Sequence, residues 1–207
     1  MNYEVVVKGT TYETIGLEPL VGYELCVSSS DKTLSQECFD FIKFVADYIL
    51  NNRVIQHEET FLYGYWLTKV FLTDGHKLVF YEYNLEATDF IFGITNTLHF
   101  WKTQHEVCMT VNAEFSPIRP DQLVVISDGV YEGEPTEGVR YPSPQHMSGW
   151  WLTTDLYNGD INTLKTVHAH HVAKKRPDLV KYFGLPFGYR FFARENDIWF
   201  DSNIMNN

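Results

Sequence analysis

Three histidines within four positions are the part of this sequence whose residue types and spacing most resemble a metal site. Imidazole nitrogens are common zinc ligands, and on a helix His168 and His171 would share one face. The H-E-x-x-H carboxylate of zinc hydrolases is missing, and the sequence assigns no third ligand unless the fold brings His146 close. We therefore expect His168, His170 and His171 to pack and cap around a helix, with a metal-assisted hydrolase built on His168 and His171 as the alternative.

Nucleophiles and carboxylate pairs are no easier to assemble into an active site. Ser148 precedes Gly149 but lacks the G-x-S-x-G pattern, so neither a base nor an oxyanion donor is placed beside it. Glu132, Glu134 and Glu137 have the residue type of a glycosidase pair, yet they lie in a loop rich in Gly and Pro rather than in a buried cleft. The sequence also contains no glycine-rich phosphate-binding motif. We assign no catalytic, cofactor-binding or metal-binding residue.

The cysteine pattern points to buried thiols rather than to a metal or redox site. Cys26, Cys38 and Cys108 are odd in number, and their spacings match no zinc or redox signature. Cys38 and Cys108 fall on or beside apolar helix faces. The sequence starts without a signal-peptide pattern, and no apolar run is long enough to cross a bilayer. We expect reduced, buried thiols in a cytoplasmic protein without a membrane partner.

The first half of the chain is predicted to form strands, a helix, a hairpin and a second helix, in that order. Apolar residues from Leu34 to Ile49 recur at intervals of three and four behind a Ser/Asp cap, which predicts an amphipathic helix. The turn Thr73 to His76 predicts a hairpin between two aromatic-rich arms. The two arms are Phe61 to Leu72 and Lys77 to Leu85. The other predicted elements are strands from Tyr3 to Lys8 and from Gly22 to Val27, and a helix from Asp89 to about Val107.

Two prolines between Phe115 and Asp121 indicate a boundary, so we predict one unit over residues 1–115 and a second over residues 116–207. The fold class expected is α+β: two small mixed α/β units whose antiparallel sheets are packed by helices. The elements predicted for the second unit are strands Leu123 to Ser127 and His146 to Thr154, an exposed loop from Val130 to Pro144, a helix capped by Asp160 or Asn162 and reaching Lys175, a helical turn from Pro177, and a closing hairpin of Tyr189 to Arg194 with Ile198 to Asp201.

The stretch from His146 to Trp151, HMSGWW, is the point around which this second unit is organised. Side chains alternate across a strand, so Trp150 and Trp151 cannot face the same side of a sheet. One indole is expected to anchor the core. The other forms a large apolar surface that needs a cover or a partner.

Charge is distributed unevenly along the chain. The formal net charge is −11, which argues against nucleic acid as a partner because phosphate binding relies on Lys and Arg. Residues 121–160 hold seven acids and one base, whereas residues 161–190 hold six bases and one acid. An acidic, aromatic surface of this kind favours a basic protein partner, although the acids could instead pair with the basic helix. The residues predicted to bind the partner are Glu132, Glu134, Glu137, Trp150, Trp151, Asp155 and Asp160.

Several short segments of the C-terminal part of the sequence carry a family resemblance: Gly138 to Tyr141, Ser148 to Trp151, His168 to His171, Arg176 to Asp178, Leu185-Pro186 with Gly188 to Phe191, and Trp199 to Asp201. With these segments, roughly residues 121–203 resemble a family of bacterial immunity proteins encoded in polymorphic-toxin loci. That family is the thirty-third immunity type, and its C-terminal module was long catalogued as a domain of unknown function.

The resemblance implies a cytoplasmic antitoxin that binds a cognate protein toxin and blocks it without chemistry of its own. It supplies no catalytic residues to carry over, and family marks such as Gly149, Pro186 and Trp199 are expected to be mostly architectural. Two alternatives remain open at this point: the metal-assisted hydrolase described above and a non-catalytic adaptor of two modules.

Overall fold

The computed structural model describes residues 3–51 and 53–206, with the side chain of residue 206 excepted. It confirms the α+β class and divides into two compact units, residues 1–102 and 103–207. The strands are β1 (Glu4–Lys8), β2 (Thr11–Ile15), β3 (Glu24–Ser28), β4 (Thr60–Tyr63), β5 (Trp66–Leu72), β6 (Lys77–Tyr83), β7 (Phe90–Phe92), β8 (Leu123–Ile126), β9 (Glu137–Arg140), β10 (Met147–Thr153), β11 (Lys165–His168), β12 (Tyr189–Phe192) and β13 (Asp197–Phe200). The α-helices are α1 (Glu18–Val21), α2 (Ser35–Leu50), α3 (Thr95–Thr110) and α4 (Ala169–Lys175), and 3-10 helices cover Lys32–Leu34, Ile161–Thr163, Pro177–Gly184 and Ser202–Asn206.

The first unit contains a seven-stranded sheet in the order β1-β2-β3-β6-β5-β4, with β7 pairing β6. β3 and β6 run parallel and the other pairs are antiparallel, so the sheet is mixed. The predicted amphipathic helix is confirmed as α2. Its apolar stripe, including Phe41, Ile42 and Val45, is buried in one cluster with Leu25 and Phe80 of the sheet.

Two stretches of the first unit differ from the sequence prediction. The stretch between the predicted elements Tyr3 to Lys8 and Gly22 to Val27, for which no element was predicted, contains strand β2 and helix α1. The helix expected from Asp89 begins only at Thr95, after strand β7. Gly93 separates strand from helix with a φ of 87°, where a Cβ would lie 2.9 Å from the carbonyl oxygen of Ser28. The buried carboxylate of Glu82 then accepts the backbone N–H groups of residues 96 and 97, at 2.9 and 2.6 Å, and so fixes the start of α3.

The second unit contains a six-stranded sheet in the order β11-β8-β10-β9-β12-β13. β8 and β10 are parallel and the other neighbours antiparallel. One face of this sheet carries Trp150 and Phe191, whose rings meet those of Phe183 and Tyr182 on the 3-10 helix Pro177–Gly184. We call this the inner face, and it forms the core of the second unit.

Two sequence predictions for the second unit are wrong in part. The loop expected from Val130 to Pro144 contains β9, which pairs with both β10 and β12. The sequence of β9, Glu-Gly-Val-Arg, has little strand propensity, but Gly138 is required because a Cβ there would lie 2.1 Å from the Phe191 ring. The helix expected from Asp160 or Asn162 begins only at Ala169, because Asp160 caps a single 3-10 turn and β11 follows as an edge strand.

The proline-containing segment after α3 is packed within the second unit. Ser116 N–H donates to the Gly184 carbonyl at 2.8 Å, Ile118 N–H donates to that of Phe183 at 3.2 Å, and the Ile118 side chain is buried. The domain boundary between residues 115 and 116 stays a prediction. No helix in the described part of the chain has both the length and the apolar composition of a membrane span.

Candidate partner-binding surface

The sheet of the second unit has a second face, which carries Trp151 and which we call the outer face. Strand alternation and the pairing of β9, β10 and β12 place Val139, Trp151, Thr153 and Arg190 on this side, opposite Trp150. Trp150 is fully buried, whereas Trp151 is half-buried. The prediction that the two indoles face opposite sides of a strand is therefore confirmed, and Trp151 is the one that meets solvent.

A β-bulge at Gly149 sets the direction of both tryptophans. Between Met147 and Trp151, β10 advances four residues while its parallel partner β8 advances two, from Leu123 to Val125. Gly149 has a φ of 84°, and a Cβ at this position would lie 2.2 Å from the carbonyl oxygen of residue 141. The glycine of the Ser-Gly-Trp-Trp motif is thus an architectural requirement of the surface.

Gly149→Ala is expected to lower the free energy of unfolding by about 2 kcal/mol or more, because it combines a strained backbone with a clash against a carbonyl oxygen. Urea unfolding measures this loss. Gly133→Ala is the matched control, since Gly133 also has a positive φ but no atom lies within 4 Å of its Cβ position. Equal losses from the two substitutions would contradict the role assigned to the close approach.

Two depressions flank the Trp151 ring on the outer face. The first, of about 400 Å³, is lined mainly by apolar groups of Tyr141, Met147 and the two prolines between them. The second, of about 260 Å³, includes Glu137, Tyr157 and Arg190 among its lining residues. Tyr141 and Trp151, with ring centroids 5.8 Å apart in a T-shaped arrangement, form the ridge between the depressions. The surface therefore offers two adjacent sites of different polarity.

The five acidic residues predicted to bind a partner gather at one end of the sheet. β8 and β10 finish at this end, and the loops 127–136 and 154–164 extend from it, tied together by a 2.7 Å hydrogen bond from Thr154 Oγ1 to the carbonyl of Asp128. We call this the acidic end, and its residues are Glu132, Glu134, Glu137, Asp155 and Asp160. All are exposed except Glu137, which is half-buried. Their role in binding stays a prediction.

Ion pairs neutralise only part of this charge. Lys165 Nζ lies 2.7 Å from Asp128, and this pairing holds the pKa of the lysine above its ordinary value. Arg190 bonds to both Glu137 and Asp201. Within residues 3–51 and 53–206, no ion pair engages Glu132, Glu134 or Asp155. A net negative potential therefore remains at the acidic end.

Two buried arginines of the family-like motifs hold the surface in place. Arg176 donates to the carbonyls of Val130 and Glu134, at 2.8 and 3.1 Å, and forms a two-pronged ion pair with Asp178. It thus fixes the loop that carries the acids. Arg140 donates to the carbonyls of residues 116, 148 and 185. Burial lowers the pKa of Arg140 to about 10, so its guanidinium stays charged at neutral pH.

The histidine cluster is near the sheet edge but is not arranged as the sequence predicted. His168 ends β11 and precedes α4, so it does not share a helix face with His171. The Nδ1 atoms of His168 and His170 are 2.9 and 3.0 Å from the carbonyl oxygens of residues 121 and 120. Among the described residues, no group of three or more His, Cys, Asp or Glu side chains is placed to hold a metal ion. The contacts assign these rings to packing of the segment before β8.

The remaining candidate nucleophiles have structural contacts. The buried Ser148 hydroxyl donates to the Leu123 carbonyl at 2.8 Å and accepts the Trp150 N–H at 3.1 Å, which holds it in the bulge. All three cysteines are buried and free, and burial raises the pKa of Cys38 to about 12. Raised thiol pKa values disfavour the nucleophilic thiolate.

Sequence reasoning missed the residues that surround Trp151. Tyr141, Tyr157 and Arg190 come from three separate stretches of the chain, and only the pairing of β9 with β10 and β12 brings them together. The available signal was the alternation of Glu137, Val139 and Tyr141, which would have placed these residues on one face had the strand been recognised.

Comparisons with known proteins identify one family. No curated protein and no solved structure matches the chain. A family model, the Imm33-like domain, matches residues 103–201. The matched region begins where the second unit begins and contains the outer face, the acidic end and both buried arginines. The second unit of this chain is therefore an Imm33-like domain, of the immunity protein 33 family.

Proposed function

We propose that this protein is an immunity protein that acts in the bacterial cytoplasm by binding a basic cognate toxin through the acidic end and Trp151. The observation that carries the proposal is the Imm33-like domain, which implies a toxin-neutralising protein with a toxin as its partner. Immunity proteins of this family are usually non-catalytic. The contacts of Ser148 and of the histidines, described above, are consistent with a binding role.

The geometry of the second unit supports this choice of surface. The carboxylates of Glu132, Glu134 and Asp155, which have no ion-pair partner in the described part of the chain, project from two loops that are tied to each other. A half-buried indole and two depressions lie on the adjoining outer face. Aromatic anchors beside a charged rim are typical of protein interfaces, and the charges steer an oppositely charged partner toward them. Trp150 contributes from beneath the surface, as the core residue on which the bulged strand rests.

The experiment that tests the function is coexpression with the toxin domain encoded by the adjacent gene. We expect the protein to restore growth of a host that produces this domain and to purify with it as a stable complex. A host that stays inhibited, together with no complex between the purified proteins, would reject the proposal.

Trp151→Ala is expected to accelerate dissociation of that complex about tenfold or more, because removal of a central aromatic anchor leaves the flanking depressions without their shared wall. Dissociation rates from surface-immobilised protein measure the effect. Phe92→Ala, which removes an aromatic side chain that is 60% exposed in the first unit, is the control and should leave the rate unchanged. An unchanged dissociation rate for Trp151→Ala would exclude the indole from the interface.

A further inference from the structure

The two depressions beside Trp151 differ in chemistry, and this difference constrains what the toxin presents. We define the apolar depression by Tyr141, Pro142, Pro144 and Met147, with Trp151 as its wall. Its lining residues offer mainly rings and aliphatic carbon, with hydroxyl groups on Tyr141 and Ser143. An apolar side chain buried there would remove carbon surface from water on both partners, which is the favourable term in most associations.

The second depression is lined by one acidic and one basic side chain. We define it as the ionic depression, formed by Glu137, Thr153, Tyr157 and Arg190 on the other side of Trp151. Arg190 bonds to the carboxylates of both Glu137 and Asp201, so one guanidinium faces two carboxylates. Burial acts to lower the pKa of Arg190, but its bonds to Glu137 and Asp201 outweigh burial and hold that pKa above its ordinary value. The backbone N–H of Asn203, and then Arg190, hold the pKa of Asp201 below its ordinary value. With Asp201, which lies outside the lining, the group of two carboxylates and one guanidinium is negative overall.

Glu137 is the carboxylate of this group that lines the depression. Its Oε1 accepts from Arg190, whereas its Oε2 accepts no hydrogen bond from the described residues, and its side chain is 36% exposed. A cation entering the depression would meet the Glu137 carboxylate, with Trp151 and Tyr157 among the other lining residues. Carboxylates and aromatic faces both attract cations. The other carboxylates of the acidic end extend the same negative field.

We propose that the outer face recognises a toxin segment in which an apolar side chain and a basic side chain lie next to each other. The apolar side chain enters the apolar depression, the Lys or Arg enters the ionic depression, and Trp151 lies between them. This inference rests on the proposed function. It adds the chemistry of the toxin segment. It also assigns specificity to Glu137 and Met147, whereas the acidic residues of the loops steer the toxin as it approaches.

In the competing arrangement an acidic toxin side chain binds Arg190. The two arrangements predict opposite effects of charge removal on the Kd. Glu137→Gln and Arg190→Gln each remove one charge from the same depression. For a basic side chain, Glu137→Gln should weaken the complex about tenfold, while Arg190→Gln should leave its Kd equal or lower because a repulsive cation is gone. If the toxin side chain is acidic, Arg190→Gln should weaken the complex about tenfold and Glu137→Gln should leave its Kd equal or lower. Isothermal titration with the toxin domain of the adjacent gene measures both.

The apolar depression is tested by Met147→Asp, which introduces a charge among apolar groups and should weaken the same complex at least about tenfold. Met109→Asp, at a methionine that is 77% exposed on α3, is the matched control and should leave the Kd unchanged. Unfolding midpoints of all four variants separate loss of contact from loss of fold.

The outcomes distinguish the two proposals. Absence of a complex with the unaltered protein rejects the proposed function and this inference together. A complex that forms normally but is weakened by Arg190→Gln and not by Glu137→Gln overturns the inference alone. Equal responses to those two variants, or an unchanged Kd for a folded Met147→Asp, also overturn it.

Discussion

Trp150→Ala is expected to lower the free energy of unfolding by about 3–5 kcal/mol, the range observed when a large buried aromatic side chain is truncated to alanine. Trp150 is fully buried, and its ring centroid lies 6.2 Å from that of Phe183 and 5.4 Å from that of Phe191. Alanine would leave a cavity between the sheet and the 3-10 helix Pro177–Gly184. Urea unfolding, followed by far-UV circular dichroism, measures the change.

The neighbouring residue provides the matched control. Trp151→Ala removes the same number of atoms from the next position of the same strand, but from the half-buried side, and is expected to cost about 1 kcal/mol or less. Trp150→Phe should also cost less than Trp150→Ala, since it keeps a ring and removes an indole N–H that has no acceptor in the described part of the chain. Similar losses for the two alanine variants would contradict the opposite orientation of the indoles.

Charge reversal at Glu132 and Glu134 is expected to slow association with the toxin about 100-fold at low ionic strength. Both carboxylates are exposed, neither has an ion-pair partner among the residues described, and both lie on the loop that Arg176 anchors. The double substitution with lysine changes the local charge by four units without removing a buried contact. Stopped-flow association rates at several salt concentrations measure the effect, which should shrink as salt rises.

Glu106→Lys with Glu114→Lys is the control for net charge. It makes the same change of four charge units in the second unit, at two exposed positions outside the acidic end. Residue 116, close in sequence to Glu114, bonds to Arg140 at the opposite end of β9 from Glu137. If both double variants slow association equally, the long-range net charge and not the acidic end steers the toxin.

The sequence predicted those parts of the fold in which local pattern and tertiary environment agree. The α2 stripe and the opposed Trp150 and Trp151 are examples, because periodicity alone determines which side chains share a face. β9 and β11 could not be predicted in the same way. Glu137 to Arg140 has a weak strand pattern and is a strand because β10 and β12 pair with it on both sides, and β11 overrides a helical spacing by pairing with β8.

The candidate surface was predicted in composition but not in geometry. The acids, and the exposure of one of the two indoles, could be predicted from charge counts and strand alternation, but alternation did not tell which indole it is. The depressions could not, because Tyr141, Tyr157 and Arg190 come together through strand pairing between distant segments. The role of Arg140 and Arg176 was equally hidden, since their partners are backbone carbonyls that carry no sequence signal.

Amide hydrogen exchange of this protein, alone and in complex with the toxin domain of the adjacent gene, tests the docking surface most directly. We predict slowed exchange in residues 128–137, 141–151 and 154–160, with little change on α2. Slowed exchange confined to other parts of the chain, with those three stretches exchanging as in the free protein, would contradict binding through the acidic end and Trp151.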